Sequence, residues 1–140
     1  MGALEAKGST IAVLGSGFKH IFPKENLYLF YQIIQMGGAI ITEYEPNTPV
    51  CSQFFLERNR IVSGMSMGTL VVEAKFRSGT SVTASLARQQ GRKVFCYSSG
   101  EDDKYHIGTQ RLLKEGKAIL ATQPEDILRC YPFLNEDVHI

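Results

Sequence analysis

The chain has 140 residues, enough for one ordinary domain with a real core, and its 44% hydrophobic and 21% charged residues fit a soluble globular protein. No apolar stretch approaches the roughly 18 residues of a membrane span, and the start MGALEAKGST lacks the basic and apolar regions of a secretory signal. A formal net charge of +1 requires any grip on nucleic acid to come from a local patch, and Cys51, Cys96 and Cys130, without metal-type spacing, read as reduced thiols of a cytoplasmic protein.

Thr10 to Leu14 (TIAVL) predicts a buried strand ending in Gly15-Ser16-Gly17. These residues read as a tight turn at the strand end, with a Rossmann-type phosphate contact as the alternative. Pro23 suits the first turn of a helix, in which Leu27, Phe30, Tyr31 and Ile34 fall on one apolar face, and Gly37 and Gly38 stop it. Ala39 to Thr42 (AIIT) predicts a second strand with Glu43-Tyr44-Glu45 at its carboxyl end, and Pro46 and Pro49 mark a short loop.

The stretch that organises the chain is FFLERNRIVSGMSMGTLVVEAKFRSGTSVTA, Phe54 to Ala84. It predicts a helix over Phe54 to Ser63 carrying Arg58, Asn59 and Arg60, then a strand over Thr69 to Val72 buried on both faces. Next come Glu73, a basic loop with Lys75 and Arg77, and Ser78-Gly79-Thr80 opening a helix through Gln90 that buries Val82, Ala84, Leu86 and Ala87. Lys93 to Tyr97 (KVFCY) is the fourth strand, and Ser98 to Ile107 is a polar loop. Thr109 is placed to cap a helix with Leu112 and Leu113, ending at Gly116. Ala118 to Ala121 is the fifth strand, and Thr122, Pro124 and Glu125 predict a capping box that starts a last helix through Leu128. Strands alternating with helices at this spacing define an α/β fold, a Rossmann-like parallel sheet of about five strands with helices on both faces.

In such sheets ligands sit beyond the carboxyl ends of strands, where free helix amides favour anions. Arg77 to Thr80 belong to that rim. Cations before a helix N-terminus gain nothing from its dipole, so Lys75 and Arg77 make sense with an anion between them and the helix. Arg58 and Arg60, two apart on a helix, point to different faces, so one is free to face the pocket while the other pairs with an acid. Phe55 offers a stacking face for a base, whereas Phe54 reads as core. Glu43 and Glu73 read either as a general acid and base or as carboxylates that hold the arginines. The second reading is favoured because no nucleophile accompanies them. His20, His106 and His139 form no metal or triad spacing, so no catalytic residue, metal or cofactor is assigned.

The blocks GALEAKGSTIAVLGSG, FPKEN, GGAIITEYEPNTP, FFLERNRIVSGMS, LVVEAKFRSGTSVTASLARQQGRKVF and GTQRLLKEGKAIL occur in this order. In them the chain resembles the DNA-processing protein A family (DprA, also called Smf) to about Leu128. The resemblance implies a non-catalytic clamp for the phosphate backbone of single-stranded DNA, acting in DNA uptake, natural transformation and recombination by loading the RecA recombinase. Carried over by motif, Phe55, Arg58, Asn59, Arg60, Lys75, Arg77, Ser78, Gly79 and Thr80 bind DNA, supported by Gly15, Ser16, Gly17, Glu43 and Glu73. It also implies a homodimer, with Gly108 to Leu120 as the region to inspect. Residues 1–130 then form part of the family's Rossmann-like domain and 131–140 a tail.

The chain departs from the family pattern in three ways. It starts after the half-domain with the GSR-type glycine loop, reads Cys51-Ser52-Gln53 where a basic residue is common, and has no winged-helix domain. The expectation is a chain truncated at its N-terminus, with weaker DNA binding and an uncovered sheet edge or face. Two alternatives stand beside it: a nucleotide-binding enzyme of the phosphoribohydrolase type, whose motif is echoed only by Gly68-Thr69 and Glu73, and a non-functional remnant. Under the DNA-binding reading, Arg58→Ala is expected to weaken binding with little loss of stability.

Overall fold

The computed structural model describes residues 1–74, 79–97 and 107–135. They fall into two compact units, Met1–Val62 and Ser63–Ile140. Parallel strands alternate with helices, as the apolar segments predict, yet among the described residues they form two sheets. In the first unit β1 (Ile11–Val13) pairs with β2 (Ala39–Ile41), with Ile11 opposite Ala39. In the second, β3 (Gly68–Val71), β4 (Lys93–Tyr97) and β5 (Ile119–Ala121) pair in that order, with Leu70, Phe95 and Ile119 in one row. The single sheet expected from the sequence is corrected on this point. An apolar run marks a strand but carries no information about its partner, because every strand offers the same N–H and C=O groups.

The first unit also contains α1 (Gly2–Glu5), α2 (Leu27–Gln35) and most of α3 (Ser52–Met65). A short 3₁₀ turn, Lys24–Asn26, precedes α2, so Pro23 stands just outside the helical residues. The predicted face of α2 is wrong. Ile33 is the buried residue, Leu29 and Phe30 are half-buried, and Leu27, Tyr31 and Ile34 are exposed. The segment LYLFYQII is apolar almost all the way round, so a helical period has more than one solution and packing chooses between them. Gly38 makes that choice possible, since a Cβ there would lie 2.1 Å from the Thr10 carbonyl oxygen and 2.8 Å from Ile33 Cγ2.

The core of the second unit lies under α4 (Gly79–Gln89) and α5 (Ile107–Lys114). Val71, Ala74, Ala84, Ala87, Val94 and Cys96 pack together there, flanked by Leu112, Leu113 and Ala118. Ala84 and Ala87 are fully buried, and their small size lets α4 come close to the sheet. Phe95 is buried on the opposite face, a burial worth about 1.5–3 kcal/mol. β3 is not buried on both faces as expected: Val71 is buried, while Leu70 is exposed, as are Val72 just beyond it and Val82 on α4.

The helix starts also differ from the expectation. Thr109 does not cap α5 but lies buried inside it, and the α5 amide of Gly108 donates to the Ala74 carbonyl at 2.9 Å. The capping box of α6 (Pro124–Leu128) is built from Gln123 and Asp126 rather than Thr122 and Glu125. The Asp126 carboxylate accepts from the Thr122 amide at 3.0 Å, the Thr122 hydroxyl at 3.1 Å and the Gln123 amide at 3.2 Å. These bonds, that of the Thr122 amide first, hold its pKa below the ordinary carboxylate value. The segment after Tyr131 begins with a 3₁₀ turn, Pro132–Asn135. Among the described residues no helix is long and apolar enough to cross a membrane.

The cysteines differ sharply in environment: Cys51 is exposed, Cys130 half-buried, and Cys96 buried in β4. Burial pushes the Cys96 thiol up to about 11. A thiol reagent under native conditions is therefore expected to label Cys51 first and Cys96 only on unfolding; equal rates would contradict the buried β4. Because the folded pKa is raised, the protonated thiol's contribution to stability is complete below the unfolded value of about 8.5 and is lost as pH rises towards the folded one.

Candidate nucleic-acid interface

The first unit gathers part of the predicted site at the carboxyl ends of β1 and β2. β1 leads into Gly15-Ser16-Gly17, which is buried. The Gly17 amide donates to the Thr48 carbonyl at 2.9 Å, the Ser16 hydroxyl donates to the His20 carbonyl at 2.7 Å, and the Thr42 hydroxyl donates to the Ser16 carbonyl at 2.9 Å. These bonds make the loop a tight turn packed beneath its neighbours, with the Gly17 amide committed inside the protein. Gly15 lets α3 approach: a Cβ there would stand 3.0 Å from Phe55 Cδ1 and 3.1 Å from the Phe55 amide nitrogen.

Phe55, Arg58, Asn59 and Arg60 all lie on α3. Arg58 is half-buried, donates through Nη1 to the Val13 carbonyl and through Nε to Asn59 Oδ1 at 3.3 Å, and lies 5.7 Å over the Phe55 ring. Burial lowers its pKa from the ordinary arginine value, yet a guanidinium stays charged and keeps N–H groups for a further acceptor. Arg60 turns away and pairs with Glu43. The two arginines thus divide as their spacing predicts, and Glu43 is a carboxylate that holds an arginine. Phe55 also meets the exposed Phe22, ring centroids 6.2 Å apart at 60°. Cation and rings together form a half-open platform suited to a phosphate beside a stacked base.

Sequence reasoning missed Phe22, Tyr44 and Glu57. Phe54 is half-buried and stacks on Tyr44 at 4.4 Å, and the Tyr44 hydroxyl donates to Glu57 Oε2 at 3.1 Å. Burial first, and then Glu57 and Glu43, raise the Tyr44 pKa. Gln53 Nε2 donates to the other Glu57 oxygen at 3.1 Å, one helical turn away. Only the i, i+4 spacing of Gln53 and Glu57 was visible beforehand; Phe22 and Tyr44 arrive from other elements.

The remaining predicted residues belong to the second unit. Gly79 and Thr80 are exposed in the first turn of α4, and a Cβ on Gly79 would meet nothing within 4 Å. Glu73 is exposed and makes no hydrogen bond or ion pair among the described residues. Lys75, Arg77 and Ser78 lie outside the described residues, as do His106 and His139. Among the described residues no group of His, Cys, Asp and Glu is arranged to hold a metal ion.

The model of the DNA recombination-mediator protein A family matches residues 1–132, and the chain belongs to this DprA/Smf family. It is 43% identical over 131 residues to Protein Smf of Escherichia coli (strain K12), covering 94% of this chain and 35% of that protein. Among solved structures it is similar to DNA processing protein A from Streptococcus pneumoniae, with a TM-score of 0.79 and 37% identity over 91% of this chain and 44% of that one. DNA processing protein A from Helicobacter pylori, solved for its unique single-stranded DNA binding mode, matches with a TM-score of 0.74 and 26% identity over 90% of this chain and 56% of that one. The chain spans less than half the length of the curated relatives it matches.

Proposed function

We propose that the chain is a single-stranded DNA-binding module of the DprA/Smf type, without catalytic turnover. The observation that carries this reading is Arg58, half-buried at the end of β1 and held against the ring of Phe55 with Phe22 beside it. A positive charge next to one half-buried and one exposed ring serves a strand that offers both phosphates and unstacked bases. The Helicobacter pylori relative's named binding of single-stranded DNA agrees with it. Lys75, Arg77, Ser78, Gly79 and Thr80 are proposed as further contacts, in the motif positions that the family resemblance assigns. The setting is DNA uptake and recombination in the cytoplasm, with RecA as a protein partner and a homodimer as the assembly.

Titration of labelled oligo-dT at two salt concentrations tests the reading. Affinity should fall as salt rises, by about 0.7 in log K per log salt for each phosphate neutralised. Absent or salt-insensitive binding by a folded sample would sink it.

A further inference from the structure

Arg88, near the end of α4, lines two clefts of the second unit. One, of about 330 Å³, lies between α4 and α5 and is edged by Ser81, Ser85, Arg111 and Glu115. The other, of about 310 Å³, lies at the amino-terminal ends of β4 and β5, where Arg92, Lys93 and Lys117 join it. Lys117 lines both clefts, so the two form one surface. Among the described residues, five cations meet one carboxylate there, in a chain whose formal net charge is only +1.

The pairing seen among the described residues leaves most of this charge in place. Glu115 accepts from Arg111 Nε at 2.6 Å and Lys117 Nζ at 2.5 Å, and these partners, Lys117 first, hold its pKa down at about 2. Arg92 donates to the Gly64 carbonyl at 2.8 Å and Lys93 to the Cys130 carbonyl at 3.0 Å, neutral acceptors that cancel no charge. Arg88 forms no ion pair among the described residues. Complementing the negative ends of helices accounts for Arg88 and Arg111, each in a last turn. It does not account for Arg92, Lys93 and Lys117, which lie past the helix ends. Helix termini offset about half a charge each, so the surface remains positive.

We propose that this surface is a second polyanion site that takes the phosphodiester backbone of nucleic acid. It lies at the opposite strand ends of its sheet from those where a parallel sheet ordinarily receives a ligand. The identity of the polyanion rests on the DNA-binding reading above. The arrangement favours backbone over base recognition, since among the described residues no aromatic side chain lines either cleft.

The test uses the intact chain and a long oligo-dT in a salt series, starting from Arg58→Ala so that the platform on α3 contributes little. Adding Arg88→Glu and Arg92→Glu should weaken the residual binding at least tenfold and lower the salt slope by about 1.4, two single-strand phosphates' worth. Glu115→Gln should act in the opposite direction, tightening binding two- to threefold. The neutral pair Arg88→Gln and Arg92→Gln, checked by thermal melting, shows the same sign with a smaller change and separates charge from folding. Unchanged affinity and slope in the glutamate variants, or weaker binding with Glu115→Gln, overturns the second site. Equal binding by the wild-type chain and Arg58→Ala instead counts against the first reading alone.

Discussion

A Gly17→Ala substitution is expected to destabilise the protein by about 3 kcal/mol or more, the upper range for overpacking, and to lower the melting temperature by about 10 °C. The new Cβ would lie 2.1 Å from the Glu45 carbonyl oxygen and 2.4 Å from that of Pro46. Neither oxygen can yield cheaply. The Glu45 carbonyl accepts from the Thr48 amide at 2.9 Å, and the Pro46 carbonyl accepts from the Lys19 amide at 3.0 Å. The Gly17 amide is itself bonded to the Thr48 carbonyl at 2.9 Å, so the two segments are laced together at this point. Gly79→Ala is the contrast: its Cβ enters open space, and the change should leave stability level or raise it by about 0.5 kcal/mol. Melts of both variants by circular dichroism decide the matter, and a Gly17→Ala melt within a degree or two of wild type would show that the loop relaxes.

The second large effect concerns Arg58. Its removal is expected to weaken oligo-dT binding about tenfold or more and to lower the salt slope by about 0.7, one single-strand phosphate contact. From sequence alone, little loss of stability is expected to accompany this. The bond to the Val13 carbonyl changes that expectation, because losing a charged donor to a backbone acceptor costs about 1–2 kcal/mol. Arg58→Lys keeps the charge without the planar fork, so it should retain part of the salt dependence while melting below wild type. Arg60→Ala removes an exposed ion pair with Glu43 and should change stability by less than about 1 kcal/mol. A lowered melting temperature with unchanged DNA affinity for Arg58→Ala would make Arg58 a structural residue and withdraw it from the interface.

What the chain's own pattern determined was the order and kind of its elements. Runs such as TIAVL and KVFCY, separated by glycine-terminated helices, read as parallel strands, because apolar pattern and turn chemistry are local properties of the chain. The split of Arg58 from Arg60 was legible for a similar reason: two residues along a helix turn a side chain to another face whatever surrounds it. Three other features were settled only in three dimensions. Ile33, rather than the face with Leu27 and Tyr31, became the buried side of α2 because Gly38 admits the backbone beside it. The division of the described strands into two sheets could not be read beforehand, because backbone groups carry no address for their partners. The cations at the amino ends of β4 and β5 come from positions between Arg88 and Lys117, and only the parallel crossover through α5 brings them to one surface. Local pattern specifies what each segment becomes, while close approach and the meeting of distant charges depend on which surfaces the folded chain leaves side by side.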